Sequence, residues 1–393
     1  MNGIFLPADI LLPKSAAFDK WAVIACDQFT SEPQYWQQVR ALTHGAPSVM
    51  QMIVAEALLE SAPNDSAVKI RQTMDEYLSG DFFEKLSNAY VYVERTLNDG
   101  TVRCGIVGTV DLTQYSITDK SAAIKATEAT VMERVPPRCA VRNNASIEFP
   151  HILLLCDDPA QTIIEPITAI ADTLPLLYDF DLMQGGGHIK GWRIQGDICD
   201  KLQTSIQSYC ETKADTAFAV GDGNHSLVAA KACYENDTSN SLARYALVEL
   251  VNVRDAGVTF LPIHRVLTGV DVDKLIAQLS AISSERGTPI TYFAQGKQGT
   301  FRIDDSQNLA VAVLQDFLDS WLKENMGSID YIHGDDSLKA LSKDHGSIGF
   351  LLPPLDKTRL FPMIKNGQLL PRKAFSLGHA NEKRYYLEGR RIK

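Results

Sequence analysis

The residues best suited to chemistry form one polar stretch, Asp222-Gly223-Asn224-His225-Ser226. The apolar run Thr216–Gly221 before it predicts a buried strand, and Ser226 opens a pattern typical of a helix. A loop between a strand and a helix presents backbone N–H groups and the positive end of the helix dipole to one point. The stretch therefore predicts an anion site at Gly223, Asn224 and Ser226. Asp222 could hold a metal ion or accept a proton, and His225 could act as acid or base or contact a phosphate oxygen.

The same stretch is also typical of a plain turn. Asp222 and Asn224 are frequent turn formers, and Ser226 could cap the helix. The stretch also approaches the dinucleotide-binding pattern G-x-G-x-x-G, but Ser226 replaces the third glycine, and only Glu249 or Asp255 could serve as ribose partner. The residues alone leave the anion site, the turn and this weaker dinucleotide interpretation open.

Two other short segments carry candidate binding residues. In the predicted strand that begins at His188, the side chains of His188, Lys190 and Trp192 share one face, which would suit a planar anionic ligand such as a nucleotide. The alternative is a core tryptophan beside a solvated lysine. His264 and Arg265 close an apolar strand and could reach a cleft, or they could simply end that strand.

A carboxylate and a basic series lie close together in the sequence. Glu128 falls in a predicted helix, Ser121–Glu133, where a carboxylate is usually solvated but could also serve as a catalytic group or a metal ligand. Arg134, Arg138 and Arg142 follow at four-residue steps. They could line an anion pocket or form ion pairs with an acidic surface.

Composition narrows the class of protein. The chain has 393 residues and a formal net charge of −10, which opposes a sequence-independent grip on nucleic acid. Its longest apolar runs are too short for a membrane span, and its first residues lack the basic segment of a signal peptide. The seven cysteines form no C-x-x-C pair, which is typical of reduced thiols. We therefore expect a cytoplasmic protein with neither nucleic-acid nor membrane partners.

The coarse pattern predicts a mixed α/β protein of two domains, 1–268 and 269–393. Ala89–Leu97 and Thr101–Leu112 alternate and are joined by Asn98-Asp99-Gly100, which predicts a hairpin. Helices are predicted at Ser48–Leu59 and Thr162–Leu174. The tail alternates strands and helices and is expected to form an α/β subdomain of its own.

Seven stretches, in order, resemble the domain of unknown function (DUF) 1015 family across nearly the whole chain. They are Thr127-Glu128-Ala129-Thr130, the strand from His188 to Trp192, Asp222-Gly223-Asn224-His225, Val251-Asn252-Val253-Arg254-Asp255-Ala256-Gly257, Leu261-Pro262-Ile263-His264-Arg265, Tyr331-Ile332-His333-Gly334 and Leu370-Pro371-Arg372-Lys373. The family name assigns no activity, so this resemblance implies a fold more than a function.

The loop is also similar to the phosphate-binding loop of ParB proteins, sulfiredoxin and free serine kinases, in which a Gly- and His-bearing loop wraps nucleotide phosphates. This resemblance implies a ParB/sulfiredoxin-like mixed-sheet core in the first domain. Asp222, Gly223 and His225 match that loop, whereas Asn224 replaces a histidine and Ser226 stands where an arginine is usual. A phosphate clamp would then need a guanidinium from elsewhere; the candidates are Arg134, Arg138, Arg254 and Arg265.

The resulting hypothesis is a nucleotide-dependent small-molecule kinase that uses ATP or ADP with Mg²⁺. Asp222 or Glu128 would hold the metal, His225 would contact the transferred group, and Asp27 or Glu32 would act as base toward a substrate hydroxyl. Analogy with the serine kinases implies a free amino acid or similar hydroxyl compound as substrate. The alternative is a nucleotide- or metabolite-binding regulator without turnover, and a DNA partner is disfavoured by the charge. The hypothesis allows a homodimer.

Overall fold

The computed structural model describes residues 3–14, 16–58, 64–128, 130, 132–149, 151–213, 216–371, 373–383 and 385–393, with the backbone alone at 27 and 64–66. Its contacts divide the chain into two units. Unit 1 comprises Met1–Val258, Leu360–Gln368 and Gly378–Lys393, and unit 2 comprises Thr259–Arg359 and Leu369–Leu377. The structural division thus follows Val258, whereas the sequence-based boundary follows Thr268.

Strands are found in both units. In chain order they are β1 Phe5–Leu6, β2 Ala8–Pro13, β3 Val23–Ile24, β4 Phe83–Thr96, β5 Val102–Asp111, β6 Tyr115–Ser116, β7 Ile124–Ala126, β8 Ile147–Glu148, β9 Ile152–Cys156, β10 Leu176–Asp181, β11 His188–Ile194, β12 Phe218–Asp222, β13 Tyr245–Asn252, β14 Phe260–Thr268, β15 Thr288–Ala294, β16 Lys297–Ile303, β17 Ser328–His333, β18 Ile348–Leu351, β19 Phe375–Leu377, β20 Tyr385–Tyr386 and β21 Gly389–Arg391.

Helices pack on these sheets. The α-helices are α1 Phe18–Trp21, α2 Pro33–Thr43, α3 Asn64–Ser79, α4 Val135–Asn144, α5 Glu165–Thr168, α6 Asp197–Thr212, α7 Asn224–Asn236, α8 Val272–Gln278, α9 Ala310–Glu324, α10 Asp335–Leu341 and α11 Leu360–Lys365. No helix in the described part of the chain combines the length and the apolar composition that crossing a membrane requires.

Unit 1 is built on a mixed sheet. Its main path runs β6-β7-β12-β9-β13-β5-β4-β2-β21-β8, with the β10–β11 hairpin added through β4. The pairs β6–β7, β7–β12 and β9–β13 are parallel, and the other pairs along the path are antiparallel. Buried side chains on the two faces of the sheet form two apolar cores. The mixed α/β architecture predicted from the sequence is confirmed.

Unit 2 has a smaller sheet of order β16-β15-β18-β14-β17, and β19 extends β14. Helix α9 has an apolar face, including Leu314, Leu318 and Trp321, that is buried against this sheet in a core of its own. The alternation of strands and helices predicted for this part of the chain is confirmed.

The predicted hairpin is confirmed as β4–β5, in which the amide of Leu97 donates to the carbonyl of Thr101 (2.8 Å) and Gly100 has φ +84°. Three helix predictions are wrong. Ser121–Glu133 contains strand β7, because parallel pairing with β12 overrides local propensity. Over their described residues, 48–58 and 162–174, the other two predicted helices contain only short helical turns.

Candidate functional site

Two parallel strands place the candidate site at their carboxyl ends. In β7 and β12, Ala126 is paired with Val220, so the residues that follow them emerge side by side. The hydroxyl of Thr127 donates to the carbonyl of Val220 (2.9 Å) and joins the two ends. Glu128 is therefore held beside the loop at Asp222 by sheet pairing, and it does not lie on the helix that its local sequence predicts.

The loop itself turns sharply into helix α7. Gly223 has φ +89° and ψ +20°, a left-handed conformation in which a side chain is strained. Its amide donates to the Asp222 carboxylate (2.9 Å), and its carbonyl accepts from the amides of Ser226 and Leu227 as the helix begins. The first turn of α7 consequently brings the positive end of a 13-residue helix to the loop.

Asn224 holds the loop in place through hydrogen bonds of its buried side chain. It is buried, its side-chain oxygen accepts from the Tyr115 hydroxyl (2.6 Å), and its amide donates to the Thr130 hydroxyl (2.8 Å). Since both ends of the side chain are engaged within the protein, Asn224 can offer a ligand only its backbone N–H group.

These residues enclose a cleft with about 420 Å³ of empty space, part of it open to solvent. The loop residues from Gly221 to Ser226 line it together with Thr127, Glu128, Val220 and Arg138. The structure thus brings together two carboxylates, an imidazole, a guanidinium and a helix N-terminus. Such a set can bind an anion and, through its carboxylates, a hard cation.

Arg138 is the guanidinium that reaches the cleft. It lies in the first turns of α4, which starts with two prolines near its N-terminus, and it donates to the carbonyl of Arg134 (2.9 Å) and to the Glu56 carboxylate (3.0 Å). Its side chain is 13% exposed, and that of Glu56 is 9% exposed. Arg134 itself contributes its carbonyl to this arrangement. Sequence reasoning missed Glu56, because a glutamate in a segment predicted as helical carries no local signal of such a contact.

The carboxylates of the cleft suit a hard divalent cation such as Mg²⁺. In the part of the chain that the structure describes, no group of three or more His, Cys, Asp and Glu side chains is arranged to hold a metal ion. Mg²⁺ commonly takes one or two protein carboxylates and keeps several waters. Asp222 and Glu128 both line the cleft and match that donor set.

His188 and Trp192 lie on β11 and are not among the residues that line the cleft. His188 bonds Asp181 and Asp179, each at 2.6 Å. The hydrogen bond to Asp181 is the main reason that its pKa is raised, with Asp179 adding to the effect. Trp192 is buried and packs on Tyr92 with ring centroids 5.5 Å apart.

His264 and Arg265 belong to unit 2, whereas the loop belongs to unit 1. The Nδ1 atom of His264 accepts from the amide of Leu352, and its Nε2 atom contacts Asp335, both at 3.1 Å. Burial lowers the pKa of His264, against the opposing effect of Asp335. Arg265 is buried, donates to Gln315 (2.6 Å) and lies over the ring of Tyr331 (4.6 Å).

Three other sequence candidates have defined positions. The backbone of Asp27 is in a 3-10 helix, Asp27–Ser31, and its side chain lies outside the described atoms. Glu249, weighed as a ribose partner, is fully buried on β13 and bonds His151. Arg254 pairs with Asp157 at 2.7 Å.

Comparison with known proteins gives one family. The model of the family described as "Protein of unknown function (DUF1015)" matches residues 7–344. No curated protein matches the chain.

Solved structures resemble the chain more distantly. A C-terminally truncated SbnI from Staphylococcus aureus is 10% identical, with a TM-score of 0.39 over 69% of this chain and 82% of that one. A free serine kinase in complex with AMP is 11% identical, with a TM-score of 0.36 over 69% and 87% of the two chains. A conserved hypothetical protein from Pyrococcus furiosus is 14% identical, with a TM-score of 0.34 over 69% and 90%. Likeness at this level assigns no activity.

Proposed function

The chain belongs to the DUF1015 family, whose description names no activity, and from the cleft of unit 1 we propose that it is a nucleotide-dependent phosphotransferase acting on a hydroxyl group of a small molecule. One observation carries the proposal. Asp222, His225, Glu128, Arg138 and the N-terminal turn of α7 all line a single cleft. Phosphoryl transfer depends mainly on holding phosphates and stabilising their charge, and these groups are suited to both tasks.

Each group has a role in the proposed reaction. The backbone N–H group of Asn224 and the positive end of helix α7 hold the phosphates, and His225 contacts the group being transferred. The amides of Gly223 and Ser226 donate within the loop, to Asp222 and to Gly223. The bond between the terminal phosphorus and its bridging oxygen breaks, and the bridging oxygen leaves with the shortened nucleotide. The acceptor hydroxyl oxygen forms the new bond to phosphorus. The hydroxyl proton passes to a carboxylate other than the two that would hold the metal. The sequence-based candidates for this base are Asp27 and Glu32.

Two features supply the positive charge that the reaction requires. Asp222 and Glu128 would hold Mg²⁺, which neutralises phosphate oxygens when bound. Arg138 provides a guanidinium at the cleft, where Ser226 occupies the position at which similar loops carry an arginine. The acceptor class, a free amino acid or similar hydroxyl compound, rests on the similarity of the loop sequence to that of free serine kinases.

A second function is favoured by one contact. Arg138 forms an ion pair with Glu56 (3.0 Å), which offsets part of the positive charge that it offers to a phosphate. Because the loop also has Ser226 where similar loops carry an arginine, this arrangement also suits a regulator that binds a nucleotide and catalyses no reaction.

Calorimetric titration with ATP, ADP and pyrophosphate, each with and without Mg²⁺, tests the binding step. We expect Mg²⁺-dependent binding that His225→Ala weakens at least about tenfold, equivalent to about 1.4 kcal/mol. His44→Ala, at an exposed histidine that ends α2, is the matched control and should bind as the unaltered protein does. Equal affinity in both variants would mean that the loop does not hold the phosphates.

Mass spectrometry of mixtures with amino acids and other hydroxyl compounds tests turnover. A phosphorylated acceptor that disappears in His225→Ala would support the phosphotransferase. Nucleotide binding without product from any acceptor would favour the regulator.

A further inference from the structure

A second cavity in unit 1 adjoins the cleft. It has about 770 Å³ of empty space, part of it open to solvent. Arg138 and Ser226 line both the cleft and this cavity. The two spaces therefore border each other at Arg138 and the first turn of α7.

Most of the cavity wall is apolar. It includes Met52, Ile53, Val54, Ile147 and the ring of Phe149, with Tyr386 as a second aromatic side chain. Flat rings pack well on aromatic faces, and base–aromatic stacking contributes without needing a particular base. The wall thus suits a planar group with little charge.

The charged residues of the wall are paired with one another. Arg138 bonds Glu56, and Glu148 is bonded by Arg142 and by Arg390 (2.8 Å). Burial would raise the pKa of Glu148, but Arg142 and Arg390 outweigh it and hold the pKa below its usual value. A zwitterion such as a free amino acid would compete with these pairs, whereas an uncharged ring would leave them intact.

We propose that this cavity holds the base of the nucleotide whose phosphates lie on the loop, so that the nucleotide spans both spaces and the acceptor approaches from the open side of the cleft. The proposal rests on the proposed function for the position of the phosphates. It adds the place where the base of the nucleotide is held, and it assigns Ile53, Phe149 and Tyr386 to the binding of that ring.

Calorimetry on the full chain separates the two spaces by using three probes: ATP, inorganic tripolyphosphate and adenosine. We expect the unaltered protein to bind ATP at least about tenfold more tightly than tripolyphosphate. Ile53→Trp, which fills the cavity, should remove that preference and abolish adenosine binding while leaving tripolyphosphate affinity unchanged. Leu176→Trp, at a side chain that is 55% exposed on β10, is the matched control. Val54→Phe provides a second filling variant should Ile53→Trp fail to fold.

The outcomes distinguish this proposal from the one on which it rests. The assignment of the cavity would be overturned if the protein bound ATP no more tightly than tripolyphosphate. It would also be overturned if both filled variants kept the full ATP affinity. Either result would leave the phosphate loop in place. Adenosine binding that is lost in Ile53→Trp, in a protein that does not bind tripolyphosphate, would support the cavity and refute the phosphate loop.

Discussion

Replacement of Arg390 by methionine tests how the last strand is held. On β21, Arg390 is paired with Glu148 of β8, and its guanidinium contacts the Glu148 carboxylate at 2.7–2.8 Å. It also donates to the carbonyls of Leu242 (3.0 Å) and Tyr245 (2.5 Å). The side chains of Arg390 and Glu148 are 6% and 2% exposed, so water cannot replace these contacts.

Removing one partner of a buried ion pair usually costs about 3–5 kcal/mol. Because Arg142 continues to bond Glu148, we expect the lower end, about 3 kcal/mol. In a unit of this size that corresponds to a decrease in Tm of roughly 6–12 °C. Arg391→Met is the matched control, because Arg391 is the exposed neighbour on the same strand and should change stability by no more than about 0.5 kcal/mol.

Differential scanning calorimetry and hydrogen exchange at the amides of β8 and β21 measure the effect. The pH dependence gives an independent check. The pKa of Glu148 is lowered in the folded state, so its contribution is present above its usual pKa of 4.5 and is lost as the pH falls through the folded pKa. Arg390→Met should reduce this acid-dependent part. Equal Tm values for Arg390→Met and Arg391→Met would refute the reasoning.

Two further predictions concern the loop and the β10–β11 hairpin. Gly223→Ala should lower stability by about 1 kcal/mol or more, because Gly223 has φ +89°. The same variant should bind pyrophosphate more weakly in calorimetry. Normal stability together with normal binding would contradict the loop geometry. The pKa of His188 should lie above 6.5 in an NMR titration and fall in Asp181→Asn, whose effect should exceed that of Asp179→Asn. Because the folded pKa of His188 is raised, the stability that its contacts with the two aspartates contribute is present below pH 6.5 and is lost as the pH rises through the folded pKa. A measured pKa of 6.5 or less would contradict these contacts.

Local sequence was sufficient where the determinant was local. Asn98-Asp99-Gly100 predicted the β4–β5 hairpin, and the glycine loop after Thr216–Gly221 predicted the passage from β12 into α7. In both places a few adjacent residues restrict the backbone, and no distant partner is needed.

The sequence was insufficient where distant segments meet. Glu128 was expected on a helix, but parallel pairing with β12 places it at a strand end beside Asp222. Arg138 was one of several arginines that could have supplied the missing charge, and only the fold shows that it lines the cleft. Glu56 gave no signal, since its contact with Arg138 joins residues 82 positions apart.

The position of β21 in the sheet has a consequence for the order of synthesis. This strand lies between β2 and β8, yet it follows all of unit 2 along the chain. On the ribosome, β8 cannot pair with β21 until about 240 further residues have been synthesised. At roughly 5–20 residues per second, this synthesis takes tens of seconds. Until then its edge, and the wall of the cavity to which Ile147 and Glu148 contribute, stay incomplete. In a nascent chain, the loop between β12 and α7 would thus emerge early, whereas the second cavity would be completed only after β21 has emerged.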